Sequence, residues 1–217
     1  PKLKWIKSNL ENKLYLFLFL IISFLLSGFI IKNLNINFLM NTILVTSALY
    51  LFFITLRDFF IKKPKNLSQN IAHFGFSLLI LSILFNNIFS TEVITNLKIG
   101  ETFQSKKFKI NFESIDQKNE KNFKAIIGKF NIENLNGVVE ILNPELRIYN
   151  QPNVVTSEAD IKTNLLSDRF ITMNLVPNQE YFNVRYQNKP FMIWIWFSVL
   201  LISVGGIVSL FKKKYES

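Results

Sequence analysis

The apolar residues of the chain are concentrated in four long stretches that contain no Asp, Glu, Lys or Arg. The stretches cover residues 14–31, 38–56, 71–89 and 191–211, which are 18, 19, 19 and 21 residues long. A helix rises about 1.5 Å per residue, so roughly 18 to 20 apolar residues cross the hydrocarbon core of a bilayer. The pattern therefore predicts an integral membrane protein with four transmembrane α-helices.

Between the third and fourth stretches the pattern changes to alternation of apolar and polar residues, which is typical of strands with one buried face. In one such run Phe108, Ile110 and Phe112 alternate with lysine, asparagine and glutamate. Six runs of this kind are separated by turn-like sequences and cover residues 107–113, 128–134, 138–142, 145–150, 169–176 and 181–187. We expect six or seven strands, which form a small antiparallel β-barrel or sandwich domain inserted between helices 3 and 4.

These patterns divide the chain into four regions. Residues 1–13 form a basic tail on the inner face, and residues 14–89 form a three-helix transmembrane region. Residues 90–189 form the β domain on the outer face, and residues 190–217 form the last helix and a second basic tail. Pro190 is expected at the first position of that helix, where its missing N–H costs least.

The net charge of +10 is explained by membrane topology. Residues 90–189 hold 13 basic and 12 acidic side chains, so most of the excess lies outside the β domain. Eleven of the remaining 12 basic residues form three clusters, at Lys2, Lys4, Lys7 and Lys13, at Arg57, Lys62, Lys63 and Lys65, and at Lys212, Lys213 and Lys214. Four crossings place the clusters on one face, which the positive-inside rule assigns to the cytoplasm or its equivalent. This distribution argues against nucleic-acid binding.

No catalytic residue is predicted within the chain. Cysteine is absent, which excludes disulfides, thiolate ligands and thiol nucleophiles, and no phosphate-binding loop or nucleophile motif occurs. A charged set in the β domain contains neither histidine nor cysteine, and a structural or docking role is its simplest explanation. Its members are Glu145, Arg147, Glu158, Asp160, Asp168 and Arg169.

His73 is the single histidine in the sequence and lies near the start of the third apolar stretch. One interpretation is a histidine that only packs between helices near the headgroups. The other is an axial ligand to haem iron, for which a neutral imidazole in an apolar site is suited. Helical spacing places Phe76, Ser77 and Ile80 on the same side, and the small Ala72 and Gly75 leave space beside His73. One histidine supplies one ligand, so two-histidine ligation needs a second from elsewhere.

Three ordered sequence motifs resemble one known family. The segments NPELRIYNQPNVVTSEADI (143–161) and FNVRYQNKPFMIWIWFSVLLISVGGIVSLF (182–211) resemble the C-terminal region of the CcmF family of cytochrome c maturation proteins. Upstream, IAHFGFSLL (71–79) resembles the A-H-x-G helix of the family. The resemblance covers most of residues 62–211. Ser157 stands where the family usually has threonine, and residues 168–170 reverse a common Arg-Asp-aromatic order.

The resemblance implies a part of the haem lyase that attaches haem to apocytochrome c. It implies a haem b held by two membrane histidines, of which His73 is one, and a periplasmic β domain. The implied partners are the N-terminal half of the same system or a separate subunit carrying it, other maturation subunits including the haem chaperone, apocytochrome c and the lipid bilayer. The implied location is the bacterial inner membrane, or the mitochondrial inner membrane for an organelle-encoded protein.

The family's tryptophan-rich haem-handling segment and its other membrane histidine have no counterpart in the 217 residues. We therefore expect a natural half or a piece of a longer protein that is inactive alone and acts within a haem lyase complex. The alternative is a structural docking subunit with no haem ligand of its own. A membrane transport function is less well supported, because the four spans contain no acidic residue.

Overall fold

The computed structural model describes residues 11–32, 34, 36–61, 67–134, 137–177 and 179–215. Within them the chain forms two compact units, one of helices from residues 1–88 and 191–217, and one of strands from residues 89–190. The basic clusters at Lys2, Lys4 and Lys7 and at residues 62, 63 and 65 lie outside the described residues. Their predicted position on the inner face stays a prediction.

The described residues of the first unit form four helices, which confirms the predicted number of apolar helices. They are α1 (Glu11–Lys32), α2 (Phe38–Ile61), α3 (Leu67–Phe89) and α4 (Met192–Tyr215). Each is long and apolar enough to cross a membrane. All four helices extend beyond the uncharged stretch at one end or both, because polar residues at the ends of a spanning helix reach the headgroup region at little cost.

Pairs of small hydroxyl side chains join neighbouring helices of this unit. Ser27 of α1 and Thr46 of α2 have their hydroxyl oxygens 2.6 Å apart, and the same distance separates those of Thr55 in α2 and Ser77 in α3. Within hydrocarbon no water competes for these groups, so each hydroxyl satisfies the other. These two contacts align α1 with α2 and α2 with α3.

The described residues of the second unit form ten strands, all paired antiparallel. They are β1 (Thr91–Leu97), β2 (Thr102–Gln104), β3 (Phe108–Asn119), β4 (Phe123–Asn134), β5 (Val139–Leu142), β6 (Glu145–Asn150), β7 (Asn153–Glu158), β8 (Asp160–Thr163), β9 (Ser167–Leu175) and β10 (Phe182–Pro190). The strand order is β1-β10-β9-β8 in one sheet and β2-β3-β4-β6-β7 in the other, with β5 paired to β4. The predicted antiparallel β domain between helices 3 and 4 is confirmed.

The two sheets enclose one apolar core. At its centre the rings of Phe112 and Phe130, which face each other across β3 and β4, stack with centroids 4.3 Å apart. The other fully buried members include Ile110, Ile132, Leu142, Leu146, Ile171, Met173 and Val184. The sequence pattern predicts that Phe108, Ile110 and Phe112 face the core. This prediction is confirmed, since all three side chains are buried.

The expected six or seven strands are fewer than the ten observed. The six alternating runs found in the sequence do not include β1, β2, β7 and β8. These strands lie at or near the edges of the sheets or are very short. In three of these strands an apolar side chain points outward, as Ile94, Val155 and Ile161 do with exposed fractions of 61%, 54% and 57%. An outward apolar residue obscures the period-two pattern on which strand prediction depends.

Pro190 was expected to begin the fourth helix, and this expectation is wrong. Pro190 is the last residue of β10 and is paired with Ser167 of β9, while α4 begins at Met192. Phe191 lies between them with a left-handed backbone (φ 62°), a conformation that allows an abrupt change of chain direction. The chain therefore passes from strand to helix through a single residue.

A nearly buried ion pair joins the two sheets of the β domain. Arg169 of β9 places Nη1 2.6 Å from Oε1 of Glu140 in β5, and the two side chains are 13% and 19% exposed. Arg169 Nε and Glu140 Oε2 have no hydrogen-bond partner within the described part of the chain. Removing one partner of such a pair leaves an uncompensated charge, which costs more than removing both.

We predict that Arg169→Met destabilises the β domain by about 3 kcal/mol or more, because Glu140 is then left charged and unpaired. The double variant Glu140→Leu with Arg169→Met recovers most of this loss, since neither charge remains. Urea unfolding of the purified full chain in detergent, followed by pulse proteolysis, measures both variants. A single variant as stable as the unsubstituted chain would contradict the prediction.

Candidate functional site

His73 is in the second turn of α3 and its side chain is exposed. The side-chain amide nitrogen of Gln69, one turn earlier on the helix, lies 3.5 Å from His73 Nε2. This distance is at the limit of a hydrogen bond, so the contact holds the imidazole weakly. Gln69 was not selected from the sequence, although its spacing of four residues from His73 would have indicated the contact.

Apart from Leu67 at the first position, the exposed residues of α3 follow one stripe along the helix. Gln69, His73, Phe76, Ile83 and Asn87 are exposed, at spacings of four, three, seven and four residues. Such spacings return to the same helix face every two turns. The stripe, defined by these five residues, is the face of α3 that the described helices of this chain leave uncovered.

The opposite faces of α3 are covered by α2 and α4. Toward α2, Ser77 is fully buried and bonded to Thr55, and the ring of Phe74 lies 5.7 Å from that of Phe52. Ser77 was expected to lie beside His73. It points into the α2 contact instead, because its hydroxyl finds a partner there.

Toward α4, two glycines allow the helix backbones to approach closely. A Cβ added at Gly75 would lie 3.0 Å from the backbone nitrogen of Ile202, and one added at Gly205 would lie 2.8 Å from the backbone nitrogen of Ala72. The expectation that Ala72 and Gly75 leave space beside His73 is wrong, because α4 fills that space. Small residues serve here as a helix-packing surface, as is common in membranes.

The charged set predicted in the β domain does not form a single site. Arg147 Nε lies 2.9 Å from Glu145 Oε2 on the same strand, which agrees with a surface ion pair. Asp160 accepts a hydrogen bond from the backbone N–H of Asn143 at 2.6 Å, and Arg169 pairs with Glu140. Glu140 was missed from the sequence because β5 is short and its partner lies on a strand 29 residues later.

The pKa shifts among the described residues of the β domain are those of surface ion pairs and of one buried tyrosine, which is typical of structural groups. The hydrogen bond from Arg185 holds the pKa of Glu92 below its usual value, as a surface ion pair does. Burial raises the pKa of Tyr186 to about 12, so its hydroxyl stays protonated at neutral pH. In the described residues no three His, Asp or Glu side chains come together as metal ligands.

A family model, described as the CcmF C-terminal beta-sandwich, matches residues 88–190. The cytochrome c-type biogenesis protein CcmF of Haemophilus influenzae is 28% identical over 169 residues, which cover 75% of this chain. CcmF of Escherichia coli is 24% identical over 145 residues and ccl1 of Rhodobacter capsulatus 29% over 146, each covering 67%. The β domain belongs to this family, and the chain as a whole is similar to the C-terminal region of CcmF proteins.

A solved structure of the cytochrome c haem lyase CcmF has the same fold. It superimposes with a TM-score of 0.67 over 94% of this chain, at 18% sequence identity. The chain spans about a quarter of its CcmF-family relatives, with 26% of the Haemophilus and 22% of the Escherichia protein, and 35% of the solved structure. The likeness therefore concerns the last part of a larger protein.

We predict that Gly205→Ala loosens α3 from α4, because the new methyl group would meet backbone atoms of Ala72 and Ser68 at 2.8–2.9 Å. The matched control is Gly206→Ala, since nothing lies within 4 Å of a Cβ at that position. Thermal unfolding of the full chain in detergent measures both. Equal unfolding temperatures for the two variants would contradict the assignment of Gly205 to the helix contact.

Proposed function

We propose that the chain is the C-terminal part of a CcmF-like haem lyase and contributes His73 as one axial ligand to a membrane haem b. The second ligand comes from a separate N-terminal half or from another part of the same protein. In this proposal the chain has no catalytic residue of its own. It holds one side of the cofactor and joins that side to a β domain.

The observation that supports this proposal most directly is the position of His73 on the exposed stripe of α3. An imidazole within a membrane-spanning helix is costly when it faces lipid, so it requires a polar or metal partner. Apart from the weak Gln69 contact, the described helices of this chain approach α3 from the other faces. In this proposal the partner of His73 comes from outside the described helices, on the side that the stripe presents.

The residues around His73 fit a haem. Phe76 and Ile83, which are 54% and 49% exposed, lie on the same stripe and offer apolar surface to a flat macrocycle. Neutral imidazole is a common axial ligand of haem iron. When bound, haem b supplies one-electron chemistry. Gln69 contacts Nε2 of His73 at 3.5 Å, so this weak contact gives way when Nε2 binds the iron.

We further propose that the β domain lies on the periplasmic side, or its equivalent in an organelle. The charge distribution supports this orientation. The three basic clusters lie before helix 1, between helices 2 and 3, and after helix 4, and four crossings put these positions on the face opposite to the β domain. On that side it would meet the haem chaperone, apocytochrome c and other maturation subunits. The named relatives are cytochrome c-type biogenesis proteins, which is the context for these partners.

We predict that His73→Ala removes most of the haem b absorbance from the assembled membrane complex and reduces the yield of holocytochrome c, because the iron loses one of its two ligands. The absorption spectrum of the purified, reduced complex measures the first effect. Leu67→Ala is the matched control, since Leu67 is an exposed apolar residue of α3 that lies outside the stripe.

An unchanged haem b spectrum in the His73→Ala complex, with normal complex assembly, would contradict the ligand assignment. That result would favour the structural alternative, in which the β domain docks other subunits and His73 only packs. Pull-down of the partner subunits by each variant separates loss of the ligand from loss of assembly.

A further inference from the structure

Two leucines form the tip of the turn between β8 and β9. Leu165 and Leu166 are each 69% exposed, which makes them the most exposed large apolar residues in the described part of the β domain. Turns that face water are generally built from glycine, asparagine, aspartate, serine and proline. The β3–β4 turn, in contrast, consists of the exposed polar residues Glu120, Lys121 and Asn122.

The pairing register places this turn at the end of the sheet where the chain enters and leaves the β domain. Ser167, the first residue of β9, is opposite Pro190, the last residue of β10, and Asn188 is opposite Thr91, the first residue of β1. The membrane-spanning segments end at Phe89 and begin again at Met192. Both connections of the β domain to the membrane therefore occur at one end of the four-stranded sheet.

Chain geometry limits the distance between this turn and the start of the nearest membrane-spanning helix. Paired residues on adjacent strands have Cα atoms about 5 Å apart. From Pro190 to Met192 the chain covers at most about 7 Å. Leu166 directly precedes Ser167, so this path separates its backbone from the start of a membrane-spanning helix by at most about 16 Å.

The turn is also built so that backbone N–H groups at its tip do not need water. The side-chain oxygen of Asn164 accepts hydrogen bonds from the backbone N–H groups of Leu166 at 2.9 Å and of Ser167 at 2.8 Å. The N–H of Asn164 donates to the carbonyl oxygen of Ser167 at 3.0 Å. Satisfied amides are a requirement for backbone that enters a region of low polarity.

We propose that Leu165 and Leu166 insert into the interfacial region of the lipid bilayer and give the β domain a third attachment to the membrane. The other two attachments are the covalent connections at Ser90 and Pro190. Two connections on neighbouring strands allow a domain to tilt about the line that joins them, whereas a third contact on β8 and β9 limits that motion. The proposal holds for either orientation of the protein in the membrane and does not depend on haem binding.

The absence of cysteine from the sequence makes a depth measurement direct. In the full chain, Leu166→Cys carries a single fluorescent label, and the protein is reconstituted into vesicles of phosphatidylethanolamine and phosphatidylglycerol. Quenching is measured with nitroxides attached to lipid chains and with iodide in the water. Leu165→Cys provides a second position on the same turn, and resistance to trypsin confirms that each labelled chain is folded.

The matched control is Ile99→Cys. Ile99 is apolar and 55% exposed, but it follows the far end of β1, which at about 3.3 Å per residue lies roughly 20 Å from the membrane connection. We expect the lipid nitroxides to quench labels at Leu165 and Leu166 several-fold more than the label at Ile99. We expect iodide to show the reverse order.

Two results would overturn the proposal. Strong iodide quenching at both leucine positions would show that the turn lies in water. Protection from both quenchers, in vesicles or in the complex with its partner subunits, would show that protein rather than lipid covers the leucines.

Discussion

The close contact between α3 and α4 is the interaction on which the rest of the structure depends, because these two helices carry the connections to the β domain. The contact requires Gly75 and Gly205, where any side chain would meet the backbone or side-chain base of the neighbouring helix at about 3 Å. In the β domain the corresponding strands are β1 and β10, and β1 pairs with β10 along its whole length, from Thr91 to Leu97. Each unit thus pairs its own two connecting elements independently.

The packing of α3 against α2 and α4 also determines which of its residues can contact another molecule. Ser77 and Gly75 face the helices of this chain, and His73 is left on the remaining face together with Phe76 and Ile83. A histidine on a face that the described helices leave uncovered can be reached by another molecule, and the proposed haem ligation rests on this position. This arrangement suits a chain that spans about a quarter of its relatives.

The β domain uses its polar residues for structure at some positions and leaves apolar residues exposed at others. The pair of Arg169 and Glu140 joins the two sheets, while Glu145 and Arg147 form an ion pair on one strand. At the opposite extreme, Leu165 and Leu166 face outward although the core nearby accepts residues such as Ile171. A nearly buried ion pair and two exposed leucines both differ from the usual distribution of charged and apolar residues. The ion pair is explained by the contact between the two sheets, and the exposed leucines by the proposed contact with lipid.

The sequence by itself determined the four membrane-spanning helices, the inserted antiparallel β domain and the selection of His73, because continuous apolar length, period-two alternation and residue chemistry are local properties. Only the tertiary structure decided that Ser77 turns away from His73, that α4 fills the space beside Gly75, and that Arg169 meets Glu140. It also showed that the Leu165–Leu166 turn lies at the end of the sheet connected to the membrane. These facts depend on strand register and on contacts between distant segments, which a local pattern does not contain.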